Sequence, residues 1–280
     1  MKSKLIFLDI DGTLLPPGQM VVPDSAVQAM AKARANGHKL FLCTGRNLRM
    51  TSPLFHYGFD GFVCSAGGYV GCGDDILVDI TMPPEDVAGL RSLMERHGVE
   101  CTLETRDDTY GGVQMIERFA GLLKKSGVLN SEAERWRKMM EYGLTICPVS
   151  EYHGEPVYKI VYIAGSMADL EEAKRDYEDK YVFCESWTGT DNVGIVNGEL
   201  INRKFDKGTG IRAICEHLGY SLEDTIGFGD SDNDLQMTDV VGTSVCMANG
   251  SENLKKLCDR VCPSVTEDGI AREFEALGLV

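Results

Sequence analysis

Asp9 and Asp11, two residues apart in Asp9-Ile10-Asp11-Gly12-Thr13, are the first groups in this chain equipped for chemistry. At the end of a strand, side chains two apart leave on the same side, so both carboxylates emerge together, and Gly12 permits the turn that follows. Two acids this close repel each other and any anionic ligand, which calls for a divalent cation and suggests magnesium. Taken alone, the pair reads equally as an acidic turn. Thr44-Gly45-Arg46 follows the apolar run Lys39–Cys43 and sets a hydroxyl and backbone N–H groups just ahead of a helix, where phosphate oxygens find donors. A simple helix cap is the plain alternative for Thr44. Lys207 lies at a helix start in Phe205-Asp206-Lys207-Gly208-Thr209-Gly210. A cation there opposes the helix dipole, so a phosphate partner explains it better than stability does. Gly229-Asp230-Ser231-Asp232-Asn233-Asp234 crowds three aspartates together, which is costly unless they are solvated or metal-bound. A calcium-binding EF-hand loop counted from Asp230 needs glutamate at its twelfth position, where Val241 stands.

Alternating strands and helices must position these groups. Strands are expected at Leu5–Leu8, Lys39–Cys43 and Gly61–Cys64, with a helix from Pro23-Asp24-Ser25 to Gly37 and another near 47–56. The alternation resumes after Lys207: helix 210–218, strand 225–228, helix 233–237, strand Thr243–Met247, and helices Glu252–Leu257 and 270–277. Such alternation implies a parallel sheet with helices on both faces and ligands at the carboxyl ends of the strands. Residues 83–199 read differently. A helix runs from Pro83 to Gly98, followed by strand 99–103, a helical, charge-rich middle near 111–142, strand 157–163, helix 170–177 and strands 181–184 and 193–196. That is an α+β pattern, an antiparallel sheet with helices on one face. The expected fold is therefore α/β, a doubly wound, Rossmann-like core made of 1–82 and 200–280 and interrupted by an α+β domain at 83–199.

Bulk properties narrow the function. The 280 residues carry a formal charge of −15 with no long basic run, which argues against nucleic acid or an anionic membrane as partner. A small anionic substrate stays compatible, because a metal and a few local cations reverse the potential inside one pocket. No apolar stretch is long enough to span a bilayer, and the apolar start is broken by Asp9 and Asp11 too soon for a signal peptide. The ten cysteines are scattered without a C-x-x-C, and the five histidines show no metal-ligand spacing. Reduced thiols in a cytoplasmic protein are the expectation.

In order along the chain, these motifs resemble those of the haloacid dehalogenase superfamily, and more narrowly its Cof-type sugar-phosphatase branch. D-x-D-G-T matches Asp9 to Thr13, the hydroxyl after a strand matches Thr44, the lysine opening a helix matches Lys207, and G-D-x-x-N-D matches Gly229 to Asp234. Met247-Ala248-Asn249-Gly250 and Glu267-Asp268-Gly269-Ile270 look like the branch's usual ending, and the insertion resembles its α+β cap. The resemblance implies that Asp9 attacks phosphorus and carries the phosphoryl group, while Asp11 protonates the leaving oxygen and later deprotonates water. It implies Mg2+ on the Asp9 carboxylate, the Asp11 carbonyl and Asp230, with Asp234 supporting the acidic loop. Thr44, Gly45, Arg46, Lys207 and Asn233 are the implied substrate-binding residues. The branch often carries Asn-Gly after its third strand, where this chain has Ser65-Ala66-Gly67-Gly68. The expected activity is a phosphatase for small phosphorylated metabolites, sugar phosphates first. A phosphosugar mutase and a metabolite-binding regulator on the same fold are the alternatives.

Overall fold

Apolar four- and five-residue runs become fully buried strands, as a central parallel sheet demands of its members. In the computed structural model, residues 2–112, 146–190 and 193–280 are described, the side chains of 186–194 excepted. Leu5–Leu8 is β1 and Lys39–Cys43 is β2, joined by α1 (Asp24–Ala35), which turns Ala26, Ala29, Met30 and Ala33 inward. Asn47 caps the short α2 (Leu48–Thr51) by accepting from the Met50 N–H, and a 3-10 turn at Ser52–Tyr57 prolongs it. The chain continues through β3 (Gly61–Cys64) into β4 (Tyr69–Cys72) and β5 (Asp75–Asp79).

An insertion follows, with α3 (Pro84–Arg96), β6 (Glu100–Thr105), β7 (Thr109–Gly111), β8 (Ile146–Pro148) and β9 (Val157–Ala164). Next come α4 (Glu171–Tyr177), β10 (Tyr181–Thr190) and β11 (Val193–Asn202). The chain then returns through α5 (Lys207–Leu218), β12 (Thr225–Gly229), α6 (Leu235–Thr238), β13 (Thr243–Met247), α7 (Glu252–Leu257), β14 (Arg260–Cys262) and α8 (Gly269–Ala276). Met1–Asp79 with Phe205–Val280 form one unit, and Ile80–Lys204 the other.

In the first unit eight strands run in the order β14-β13-β12-β1-β2-β3-β4-β5. Six of them, β14 through β3, pair in parallel, whereas β4 and β5 add antiparallel at one edge. The edge hairpin departs from the all-parallel expectation; a tight return from β3 to β4 needs no crossover helix. Alternation along β1 sends Leu5 and Phe7 to one side, against Ile211, Ile214 and Cys215 of α5. Phe228, in register with Leu8, meets Phe274 of α8 on the other side, with ring centroids 5.5 Å apart. Helices therefore cover both faces, and the sheet is doubly wound. Because β1 lies between β2 and β12, with Leu8 in register with both Leu42 and Phe228, the three chain segments that leave these strands emerge side by side.

In the second unit a six-stranded sheet has the order β10-β11-β9-β6-β7-β8. One face packs Leu103, Ile160, Tyr162 and Leu200 under Leu90, Leu93, Met94, Leu170 and Ala173 from the helical segments. Intervening positions carry Thr102, Glu104 and Lys159, all buried. The Lys159 Nζ lies 2.8 Å from Glu199 and 3.3 Å from Glu104, an ion triad across three neighbouring strands. The sheet is antiparallel except for β7 and β8, which pair in parallel. The charge-rich middle expected near 111–142 falls, from 113 onward, outside the described residues.

Candidate active site

The loop after β1 is shaped to aim its acids. Asp9 is bonded through its N–H to the Phe228 carbonyl at 2.9 Å, which pins it to the end of the sheet. Leu15 then folds back, donating to the Ile10 carbonyl at 2.7 Å and accepting from the Gly12 N–H at 2.9 Å. Gly12 has φ +88°, and a Cβ there would stand 2.2 Å from an Asp230 carboxylate oxygen, so only glycine fits this close approach. The Gly12 carbonyl accepts from the Asn249 side chain at 2.8 Å, and the Thr13 hydroxyl donates to Asp230 at 3.1 Å.

The loop after β12 builds the opposite wall. One Asp234 carboxylate oxygen accepts the Asp230 and Ser231 N–H groups at 3.0 and 3.1 Å; the other accepts from the Lys207 Nζ at 2.5 Å. Asp234 is thus fully engaged in bracing the loop and holding the lysine. Lys207 begins α5 behind Asp206, whose side chain caps the helix by accepting from the Thr209 N–H at 2.7 Å. The Lys207 ammonium also donates to Asp9 at 2.7 Å, and it is only 2% exposed. The exposed Asn233 has its side-chain oxygen 3.5 Å from the Lys207 Nζ and accepts from the Ser231 hydroxyl at 2.8 Å.

Thr44 leaves β2 beside them, 1% exposed, with its N–H on the Val63 carbonyl at 2.8 Å and its hydroxyl accepting from the Arg46 N–H at 3.1 Å. Arg46 turns its guanidinium to Asp11: Nε donates to one carboxylate oxygen at 2.9 Å and Nη2 to the other at 2.7 Å. Ser65 and Ala66, where the branch often has Asn-Gly, both adopt left-handed φ, 49° and 58°. Their N–H groups are tied to the Arg46 and Thr44 carbonyls at 2.8 and 3.0 Å, so the strain is held by the neighbouring loop.

Oxygens of Asp9, Asp230 and Asp234 lie within 4.8 Å of one another. Burial pushes the Asp9 carboxyl up to about 7 despite the opposing Lys207, with Asp234 and Asp11 adding repulsion. Burial, then Asp9 and Asp234, push Asp230 up to about 8. Burial works against the Lys207 ammonium, but Asp234 and Asp9 outweigh it and hold its pKa well above the ordinary lysine value. One lysine against three clustered carboxylates leaves the pocket short of positive charge. An all-oxygen donor set of this kind suits a hard divalent cation such as Mg2+.

Asp9, Asp230, Asp234, Lys207 and Asn233 thus converge around one point, with Thr44 leaving the adjacent strand. Arg46 meets Asp11 instead of pointing toward the lysine. Thr13 and Asn249, which hold Asp230 and the Gly12 carbonyl, were not among the residues expected from sequence. Their signal was present, since both belong to motifs already recognised in the chain. Among the described residues no helix is long and apolar enough to cross a membrane.

Comparison with known proteins agrees with this architecture. Residues 6–274 match the family model of the haloacid dehalogenase-like hydrolases. The pyridoxal phosphate phosphatase YbhA of Escherichia coli is 24% identical, with 97% of each chain covered. The 5-amino-6-(5-phospho-D-ribitylamino)uracil phosphatase YitU of Bacillus subtilis is also 24% identical, over 97% of this chain and 96% of that one. Among solved structures, the subclass IIB sugar phosphatase BT4131 superposes with a TM-score of 0.76 at 23% identity, over 99% of this chain and all of that one. With the family match running from β1 to α8, the chain belongs to the haloacid dehalogenase-like hydrolases and is a phosphatase of that family.

Proposed function

We propose that this phosphatase hydrolyses small phosphorylated metabolites, sugar phosphates first, with Mg2+ and through a phosphoryl group carried transiently on Asp9. The observation that carries the reading is the buried pairing of Asp9 with Lys207 at 2.7 Å, beside two more carboxylates. A carboxylate is a weak nucleophile toward an anionic phosphate until cations offset their repulsion. Asp9, Asp230 and the Asp11 carbonyl are the groups proposed to hold Mg2+, which supplies that charge when bound. Asp234 keeps the loop and lysine in place.

In the first step an Asp9 carboxylate oxygen bonds to phosphorus, the phosphorus–oxygen bond to the leaving group breaks, and Asp11 gives that oxygen a proton. In the second step water bonds to phosphorus, Asp11 takes its proton, and the bond to Asp9 breaks to release inorganic phosphate. Thr44, the Gly45 backbone, Lys207 and Asn233 hold the phosphoryl oxygens, consistent with the dominance of positioning and charge neutralisation in phosphoryl transfer. The relatives named above act on small phosphate esters, which supports the substrate class. The domain at 83–199 is proposed to select the substrate, since the catalytic groups all lie outside it. Ten free cysteines support a cytoplasmic setting.

The test is phosphate release from a panel of phosphate monoesters with Mg2+ and with excess chelator. Metal-dependent release that Asp9→Asn abolishes supports the reading. Release that persists in chelator, or turnover that yields a rearranged phosphosugar without phosphate, overturns it.

A further inference from the structure

We infer that Arg46 is a positioning residue for Asp11, fixing the proton-transfer group of the reaction rather than binding the substrate phosphate. The inference rests on the phosphatase reading above. Arg46 is 6% exposed, and each of its three guanidinium nitrogens is aimed at an acceptor within the protein. Nε and Nη2 grip the two Asp11 oxygens at 2.9 and 2.7 Å, and Nη1 reaches the Met50 carbonyl at 3.3 Å. Such a planar, two-pronged grip fixes both the position and the plane of a carboxylate, which a single contact does not. The backbone of Arg46 is equally constrained, with its N–H on the Thr44 hydroxyl at 3.1 Å and its carbonyl accepting from the Ser65 N–H at 2.8 Å. The strained Ser65 is therefore part of the frame that aims the arginine.

Without that grip, the Asp11 side chain, at 22% exposure, loses the paired contact that fixes the plane of its carboxylate. Asp9 has separate anchors in Lys207 and the Phe228 carbonyl, so nucleophile placement does not depend on Arg46.

The roles separate by leaving group. An alkyl phosphate such as a sugar phosphate needs a proton on its departing oxygen, whereas a nitrophenyl phosphate leaves as a stable anion. With Arg46→Ala, kcat/KM for the alkyl ester is expected to fall about 100-fold, the lower end of what a positioned general acid supplies. For p-nitrophenyl phosphate it is expected to fall less than about 10-fold, because acid catalysis contributes little to that step. Water activation also needs Asp11, so the variant should release a stoichiometric burst of nitrophenolate before a slow steady state. Inhibition by inorganic phosphate should be unchanged. In an Asp11→Asn background, adding Arg46→Ala should cost little more with either ester.

Equal losses with both esters, joined to weaker inhibition by phosphate, would mean that Arg46 binds the phosphoryl group, and would overturn this inference alone. Absence of metal-dependent turnover by the wild-type protein would overturn both it and the phosphatase reading. Circular dichroism must show the variant folded. Otherwise Arg46→Lys, which keeps the charge but not the fork, carries the same test with the same contrast between esters.

Discussion

Replacing Lys207 by methionine should destabilise the metal-free protein in a manner that acid partly repairs. The methionine keeps most of the side chain's volume but removes the charge shared by Asp9 and Asp234, at 2.7 and 2.5 Å. Breaking a buried pair from one side costs about 3–5 kcal/mol when the remaining charge stays ionised. Here a carboxyl can escape by taking up a proton, and this sets a ceiling. From an ordinary aspartate pKa of 3.8, uptake costs about 1.4 kcal/mol per pH unit, hence at most about 4 kcal/mol at pH 7, and less for Asp9, which the wild-type fold already pushes up to about 7. At pH 5 the same uptake costs only about 1.6 kcal/mol. The sign follows from linkage: with Lys207 gone, the variant's folded cluster binds more protons than the wild-type cluster, where the lysine favours the ionised carboxylates, so the deficit grows as pH rises. Urea unfolding of wild type and Lys207→Met in chelator, followed by circular dichroism at pH 7 and pH 5, measures both deficits. A deficit that is equal at the two pH values, or larger at pH 5, would refute the account of Lys207 as the counter-charge of a buried carboxylate cluster.

Other expectations rest on the same geometry. Mg2+ should raise the thermal unfolding temperature more at pH 8.5 than at pH 6.5. Asp9 and Asp230, pushed up to about 7 and about 8, must shed protons to bind it, so affinity falls as pH falls; a shift that grows on acidification would contradict this. Gly12→Ala drives a Cβ to within 2.2 Å of Asp230 at a φ of +88°, so it should cost about 1–3 kcal/mol of stability and weaken Mg2+ binding in a calorimetric titration. In the second unit, Lys159→Met leaves Glu104 buried without its cation and should destabilise by about 3–5 kcal/mol. Adding Glu104→Gln should restore part of that loss in thermal unfolding.

The parts of the fold legible in sequence were those with an unmixed signal. Leu5–Leu8, Lys39–Cys43, Gly61–Cys64 and Thr243–Met247 read as strands because continuous apolar runs bounded by turn residues mark strands buried on both faces. The hairpin of Tyr69–Cys72 and Asp75–Asp79 escaped because its outer strand is largely exposed and carries aspartate at both ends. The long strands Tyr181–Thr190 and Val193–Asn202 were seen only in their apolar fragments, since their polar alternation and glycines hide the remainder. At the site, each acid or lysine announced itself through local spacing. The grip of Arg46 on Asp11 did not, because 35 residues separate them and only the adjacency of β1 and β2 brings them together. A triplet such as Thr44-Gly45-Arg46 records residue types, whereas the direction of a guanidinium is decided by what lies across the sheet.

A phosphoryl group carried on Asp9 can be trapped. The protein is mixed with Mg2+ and a phosphate monoester, quenched in acid within one turnover, digested and analysed by mass spectrometry. One added phosphoryl group is expected on the peptide containing Asp9. It should form and decay at rates compatible with turnover, accumulate when Asp11→Asn slows water activation, and be missing from Asp9→Asn. Steady phosphate release with no such adduct, or an adduct on any other residue, would contradict that role of Asp9.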